Sequence, residues 1–168
     1  MNYSKKMLEA RYFVFDTNAL ISAHLIPGSV SFKAFDLALK NGTIVSSVET
    51  WYEFSTRFIR PKFNSYLTIE KREFYILMLK NRTEFVDVKK QVTICKDPDD
   101  DKFLGLAVAA DVACIVSGDK DLLILNPYEN IPILTPVQFL TYFAELDDSF
   151  IVNEPNVYYG NMSNAAQF

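Results

Sequence analysis

Four carboxylates fall within five residues at Asp97-Pro98-Asp99-Asp100-Asp101. An apolar run follows, from Lys102 to Ala113, and then a strand-like Cys114-Ile115-Val116. That run ends in a second acidic cluster, Ser117-Gly118-Asp119-Lys120-Asp121. A helix advances about 1.5 Å per residue and a strand about 3.3 Å. A helix followed by a strand that runs back beside it therefore returns both acidic clusters to one edge of a sheet. Carboxylates gathered in one place repel unless a cation neutralises them. Oxygen-only donors suit a hard cation, Mg2+ or Mn2+. The same residues also read as a solvated turn that caps the next helix, since short acidic runs are mostly surface features. The rest of the chain decides between the two.

The elements that must position these acids alternate between strand and helix. Tyr12-Phe13-Val14-Phe15 is β-rich and ends at Asp16-Thr17-Asn18. Open α/β sheets place ligands at the carboxyl ends of their strands, where Asp16 falls. Asp16 also suits the N-cap of the helix that runs from Ala19 to Ile26, before Pro27-Gly28. His24 lies in that apolar stretch and reads as structural. Ser31 to Lys40 is an amphipathic helix stopped by Asn41-Gly42. Thr43 to Ser46 is a second strand, and Ser47 opens a helix from Val48 to Ile59. Glu49, Glu53 and Arg57 share one face of it, so a Glu53–Arg57 surface pair is the plain alternative to a role for Glu53 at the site.

Asn64 to Asn81 reads as a further helix, with Lys71, Arg72, Lys80 and Arg82 as a solvated face or a substrate patch. Phe85 to Val88 is expected as strand three, Lys102 to Asp111 as a helix packed on the sheet, and Cys114 to Val116 as a buried fourth strand. Leu122 to Leu125 is a short helix or turn. Ile131 to Leu134 is an edge-like fifth strand because it carries Pro132, and Pro136 starts a last helix to Leu146. The expectation is an α/β fold: one domain over residues 12–146, with a mainly parallel central sheet of about four to five strands flanked by helices. Residues 147–168 are Asn-rich without periodicity and read as a flexible C-terminal extension, in which Tyr158 and Tyr159 suit docking.

The chain has 168 residues, 49% hydrophobic and 14% aromatic, enough to build one core and leave surface for a partner. Seventeen basic against 21 acidic residues give a net charge of -4, which argues against binding nucleic acid by bulk charge. It leaves room for an enzyme that meets phosphates through bound cations. Cys95 and Cys114 form no disulfide framework or zinc spacing, and His24 is the lone histidine, so a zinc site lacks ligands. No signal-peptide core and no apolar run of membrane-spanning length appears, and the reading is a soluble cytoplasmic protein.

Taken together, these motifs resemble the PIN-domain family of metal-dependent nucleases over about residues 12–146. The apolar strand with Asp16-Thr17-Asn18 is similar to its first motif, and Ser47 with Glu53 to its second. Asp101, the Ala-rich helix, and strand Cys114 to Val116 with Ser117-Gly118-Asp119 are similar to its third and fourth. The stretches Asp-Pro-Asp-Asp-Asp-Lys-Phe-Leu and Val-Ser-Gly-Asp-Lys-Asp-Leu-Leu resemble a bacterial subgroup described as toxin components of toxin–antitoxin pairs. The resemblance implies an acidic quartet of Asp16, Glu53, Asp101 and Asp119. It implies supporting positions at Asn18 and Ser117, with Asp97, Asp100 and Asp121 as auxiliaries. It further implies Mg2+ or Mn2+, RNA as the cleaved substrate and an antitoxin as partner. A dimer would pool basic residues around the site.

Two other readings stand beside this one. A haloacid-dehalogenase-type phosphatase also opens with strand-then-Asp, but needs an acid two positions after it, where this chain has Asn18. A PIN-like module that binds RNA or protein without catalysis would keep the acids by descent alone. Lys102, Lys120, Arg57, Arg60 and Lys62 are the cations expected near the mouth of the site.

Overall fold

The computed structural model describes residues 12–146. Its centre is a parallel sheet of five strands in the order β3-β2-β1-β4-β5. The strands are β1 (Tyr12–Phe15), β2 (Thr43–Ser46), β3 (Thr83–Phe85), β4 (Cys114–Val116) and β5 (Ile133–Leu134). The helices between them are α1 (Thr17–Leu25), α2 (Val30–Asn41), α3 (Val48–Phe58), α4 (Ile69–Lys80), α5 (Asp101–Ala109), α6 (Lys120–Leu123) and α7 (Pro136–Leu146).

Alternation along the strands divides the core in two. Phe13, Phe15, Ile44, Cys114 and Val116 face one side, with Phe35, Phe54, Phe58 and Phe139. Val14, Val45 and Ile115 face the other, with Phe103, Leu104, Leu106 and Leu122. Both faces of the sheet are therefore covered, as a parallel sheet requires. Aromatic edges lock the first face: Phe13 meets Phe139 and Phe15 meets Phe35, each at 5.7 Å between ring centroids. His24 sits in this layer, 4.9 Å from the Phe35 ring, with Nδ1 2.7 Å from the Leu20 carbonyl oxygen. Burial pulls its pKa down to about 4, so it is a neutral packing residue.

Three expectations are corrected. Strand three runs Thr83–Phe85, not Phe85–Val88, because it begins directly after the α4 cap at Asn81 and pairs Ile44 with Thr83. The helix expected over residues 64–81 is shorter, Ile69–Lys80, because Thr68 caps it, and a separate 3-10 turn at Pro61–Phe63 precedes it. Arg72 is neither solvated nor a substrate contact. It is wholly buried and donates to the Phe58 carbonyl (2.7 Å), the Arg60 carbonyl (2.9 Å) and Asn64 Oδ1. Its guanidinium thus ties the chain after α3 to the first turn of α4, and this bend ends one helix and starts the next. Residues 147–168, with Tyr158 and Tyr159, lie outside the described residues.

Candidate active site

The carboxyl ends of β1 and β4 lie side by side, and the Asp16 N–H donates to the Val116 carbonyl at 3.0 Å. Asp16 stands at the carboxyl end of β1 and also caps α1. As N-cap of α1, its Oδ1 accepts from the Ala19 N–H at 2.6 Å. Its Oδ2 accepts from the Ser117 hydroxyl. Ser117 is fully buried, and its Oγ also accepts from the Asp119 N–H at 2.9 Å. One hydroxyl therefore joins the acid after β1 to the acid after β4. Asp119 in turn caps α6, with Oδ1 accepting from the Asp121 N–H at 2.8 Å.

Asp16 is 3% exposed, and burial pushes its carboxyl above the usual range. The Ser117 and Ala19 hydrogen bonds pull against this, while the charge of Asp119 adds to it. Asp100 behaves alike: burial and the charges of Asp119, Asp97 and Asp16 push it up to about 6. Asp16, Asp100 and Asp119 thus feel one another across a partly desolvated edge. None of them belongs to an ion pair among the described residues, whereas Glu53 pairs with both Arg57 and Lys102.

Asp101 is placed differently. Its Oδ1 accepts from the N–H groups of Ile94 (2.9 Å) and Cys95 (2.7 Å), so it holds the loop before the acidic cluster. Burial raises its carboxyl, but the Cys95 and Ile94 donors outweigh that and leave it below the usual range. The reason is visible one turn on. Gly105 sits on the same side of α5, and a Cβ there would lie 3.3 Å from Val88 Cγ1. The loop lies against this side of the helix, and Asp101 anchors it. Burial drives the Cys95 thiol up to about 12, so it is no nucleophile at neutral pH.

Glu53 is reached from α3. Ser47 and Thr50 form a reciprocal cap there, with Thr50 N–H to Ser47 Oγ at 3.1 Å and Ser47 N–H to Thr50 Oγ1 at 2.9 Å. Glu53 Oε1 lies 3.1 Å from Arg57, and Oε2 pairs with Lys102. The expected Glu53–Arg57 pair is present, and Lys102 links Glu53 to the first turn of α5. Two of the cations expected to receive RNA, Arg57 and Lys102, are thereby engaged, while Arg60, Lys62 and Lys120 are exposed. Asn18 is exposed on the first turn of α1, and Asp97 is exposed, accepting from the Asp99 N–H at 3.0 Å. Sequence reasoning missed the Ser46–Thr50 hydroxyl contact (2.8 Å), which buttresses the start of α3. A Ser/Thr pair spanning a strand end and a helix start was the available signal.

This edge brings Asp16 and Asp119 together through Ser117 at the carboxyl ends of the strands of a doubly covered parallel sheet, where α/β folds place their ligands. The PIN domain family matches residues 12–121. The chain belongs to the PIN domain family, whose members are generally nucleases. A comparison with curated proteins finds no match. No helix among the described residues is long and apolar enough to cross a membrane.

Proposed function

We propose that this protein is a metal-dependent endoribonuclease whose site is formed by Asp16, Asp100, Asp119 and Glu53. The observation that carries this is that Ser117 joins Asp16 to Asp119 at the carboxyl edge of the sheet, with no Lys or Arg among the described residues ion-paired to either, and that their charges push up the neighbouring Asp100, where Lys102 only partly offsets them. A divalent cation relieves that repulsion, and an oxygen-only donor set fits Mg2+ or Mn2+. Among the described residues no three acids are grouped so as to enclose an ion. Mg2+ needs no such cage, since it keeps several waters and takes one or two carboxylates.

When bound, the cation supplies an activated water and neutralises charge developing on the phosphodiester. The protein's own groups do the rest. Ser117 fixes the rotamer of Asp16 and the backbone of Asp119, so that both carboxylates are oriented before anything binds. Asp101 is proposed as the anchor of the loop rather than a direct ligand, and Asp121, Asn18 and Asp97 as outer residues. A cleft of about 300 Å3 bounded by Ser47, Glu49, Val88, Val92, Asp101 and Lys102 opens beside the first turn of α5 and is proposed to take part of the RNA strand.

The finer reading is a toxin component restrained by an antitoxin, acting as a dimer in the cytoplasm. It rests on the sequence resemblance and on exposed Tyr66, Phe74 and Leu77 around α4, apolar surface that fits a protein partner. Neither the phosphatase nor the non-catalytic reading is favoured by the family match.

The test is cleavage of a mixed RNA substrate with Mn2+ or Mg2+, with excess chelator, and with Asp16→Asn. Cleavage that needs the metal and drops by about a hundredfold or more in Asp16→Asn is expected. Full activity in Asp16→Asn overturns the assignment.

A further inference from the structure

Lys102 stands in the first turn of α5, the wrong end of a helix for a cation, because the macrodipole there is positive. Its side chain is nonetheless only 9% exposed and its position is specified three ways. Nζ pairs with Glu53 Oε2 and donates to the Asp99 carbonyl at 2.5 Å. It also lies 5.5 Å from the Phe103 ring centroid. Burying an ammonium at a helix start is costly unless carboxylates hold it there. Glu53 does so directly. Lys102 is also the cation that offsets the push of Asp119, Asp97 and Asp16 on Asp100. No other cation acts on both Glu53 and Asp100 among the contacts of the described residues.

We propose that Lys102 is the resident counter-ion of the acidic site, and that a divalent cation must displace its ammonium from Glu53 in order to bind there. This rests on the metal-site reading above. Lys102 is then a positioning residue that sets the cation concentration at which the site fills. With no metal bound it keeps Glu53 drawn toward α5 and limits the repulsion among the acids. With metal bound the ammonium is released from Glu53. A single positive charge at close range opposes a divalent ion by Coulomb repulsion and by occupying one of its donors, and both effects have the same sign.

The experiment is calorimetric titration of the full chain with Mn2+ alone, on wild type, Lys102→Met, Glu53→Gln and the double variant. Methionine keeps the length and removes the charge, and Lys102→Gln serves if the first variant does not fold. Lys102→Met is expected to bind Mn2+ about tenfold or more tightly than wild type. That gain is expected to shrink to within about threefold when Glu53→Gln is also present, because the competition runs through Glu53. Equal or weaker binding by folded Lys102→Met overturns the proposal while leaving the metal site standing. A gain of the same size in the Glu53→Gln background also overturns it. Absence of Mn2+ binding in both wild type and Lys102→Met overturns it together with the metal-site reading.

Discussion

Asp100 and Asp101 are adjacent, alike in type and opposite in environment. Asp100 faces other carboxylates, and its pKa is raised to about 6. Asp101 faces two backbone N–H groups, and its pKa is lowered. Substitutions should separate them. Asp101→Ala strands two amide donors and is expected to cost about 1–3 kcal/mol in urea unfolding. Asp100→Asn removes a repelled charge and is expected to cost no stability at pH 7, while Mn2+ affinity falls about tenfold. The reverse pattern, with metal affinity lost in Asp101→Ala and stability lost in Asp100→Asn, would return Asp101 to the metal. The run of acids was legible in the sequence. Which acid turns to which side was not, because that depends on where the loop through Val88 and Val92 lies against Gly105.

The strand-and-helix order follows from local pattern wherever the pattern is strong. β1, β2 and β4 have the bounds their apolar runs suggest, and Pro136 opens α7. The expectation fails around α4, where an amphipathic reading placed Arg72 on a wet face. Arg72 is instead the clamp that holds the chain between α3 and α4, and its charge is satisfied by carbonyls near the end of α3, where the dipole favours a cation. Arg72→Met should leave those oxygens unpaired and cost about 2–4 kcal/mol in urea unfolding. A loss below about 1 kcal/mol would show that water replaces the guanidinium. No periodicity reveals such a residue, because its partners are backbone atoms 12 and 14 positions away.

For the molecule as a whole, the proposed metal binding is linked to pH. A carboxyl whose folded pKa is raised above 3.8 is destabilising when ionised. For Asp100 that penalty is full above about pH 6 and disappears as pH falls toward the unfolded value. Asp16 shifts in the same direction. Protons and a divalent cation therefore compete for the same relief. Mn2+ is expected to raise the melting temperature more at pH 7.5 than at pH 5, measured by thermal unfolding at matched ionic strength. An increment that does not change with pH would mean that the ion binds away from Asp16 and Asp100.

The sequence by itself determined the alternating α/β order, the acids at the ends of β1 and β4, and the family. These depend on local apolar runs and on motif spacing, which the chain carries in linear form. Only the tertiary structure decided that Ser117 joins Asp16 to Asp119, that Asp101 anchors a loop, and that Lys102 sits among the acids. Each of these is a meeting of groups brought together by sheet order and loop packing. The direction a side chain takes at such a meeting is set by the neighbours that close around it.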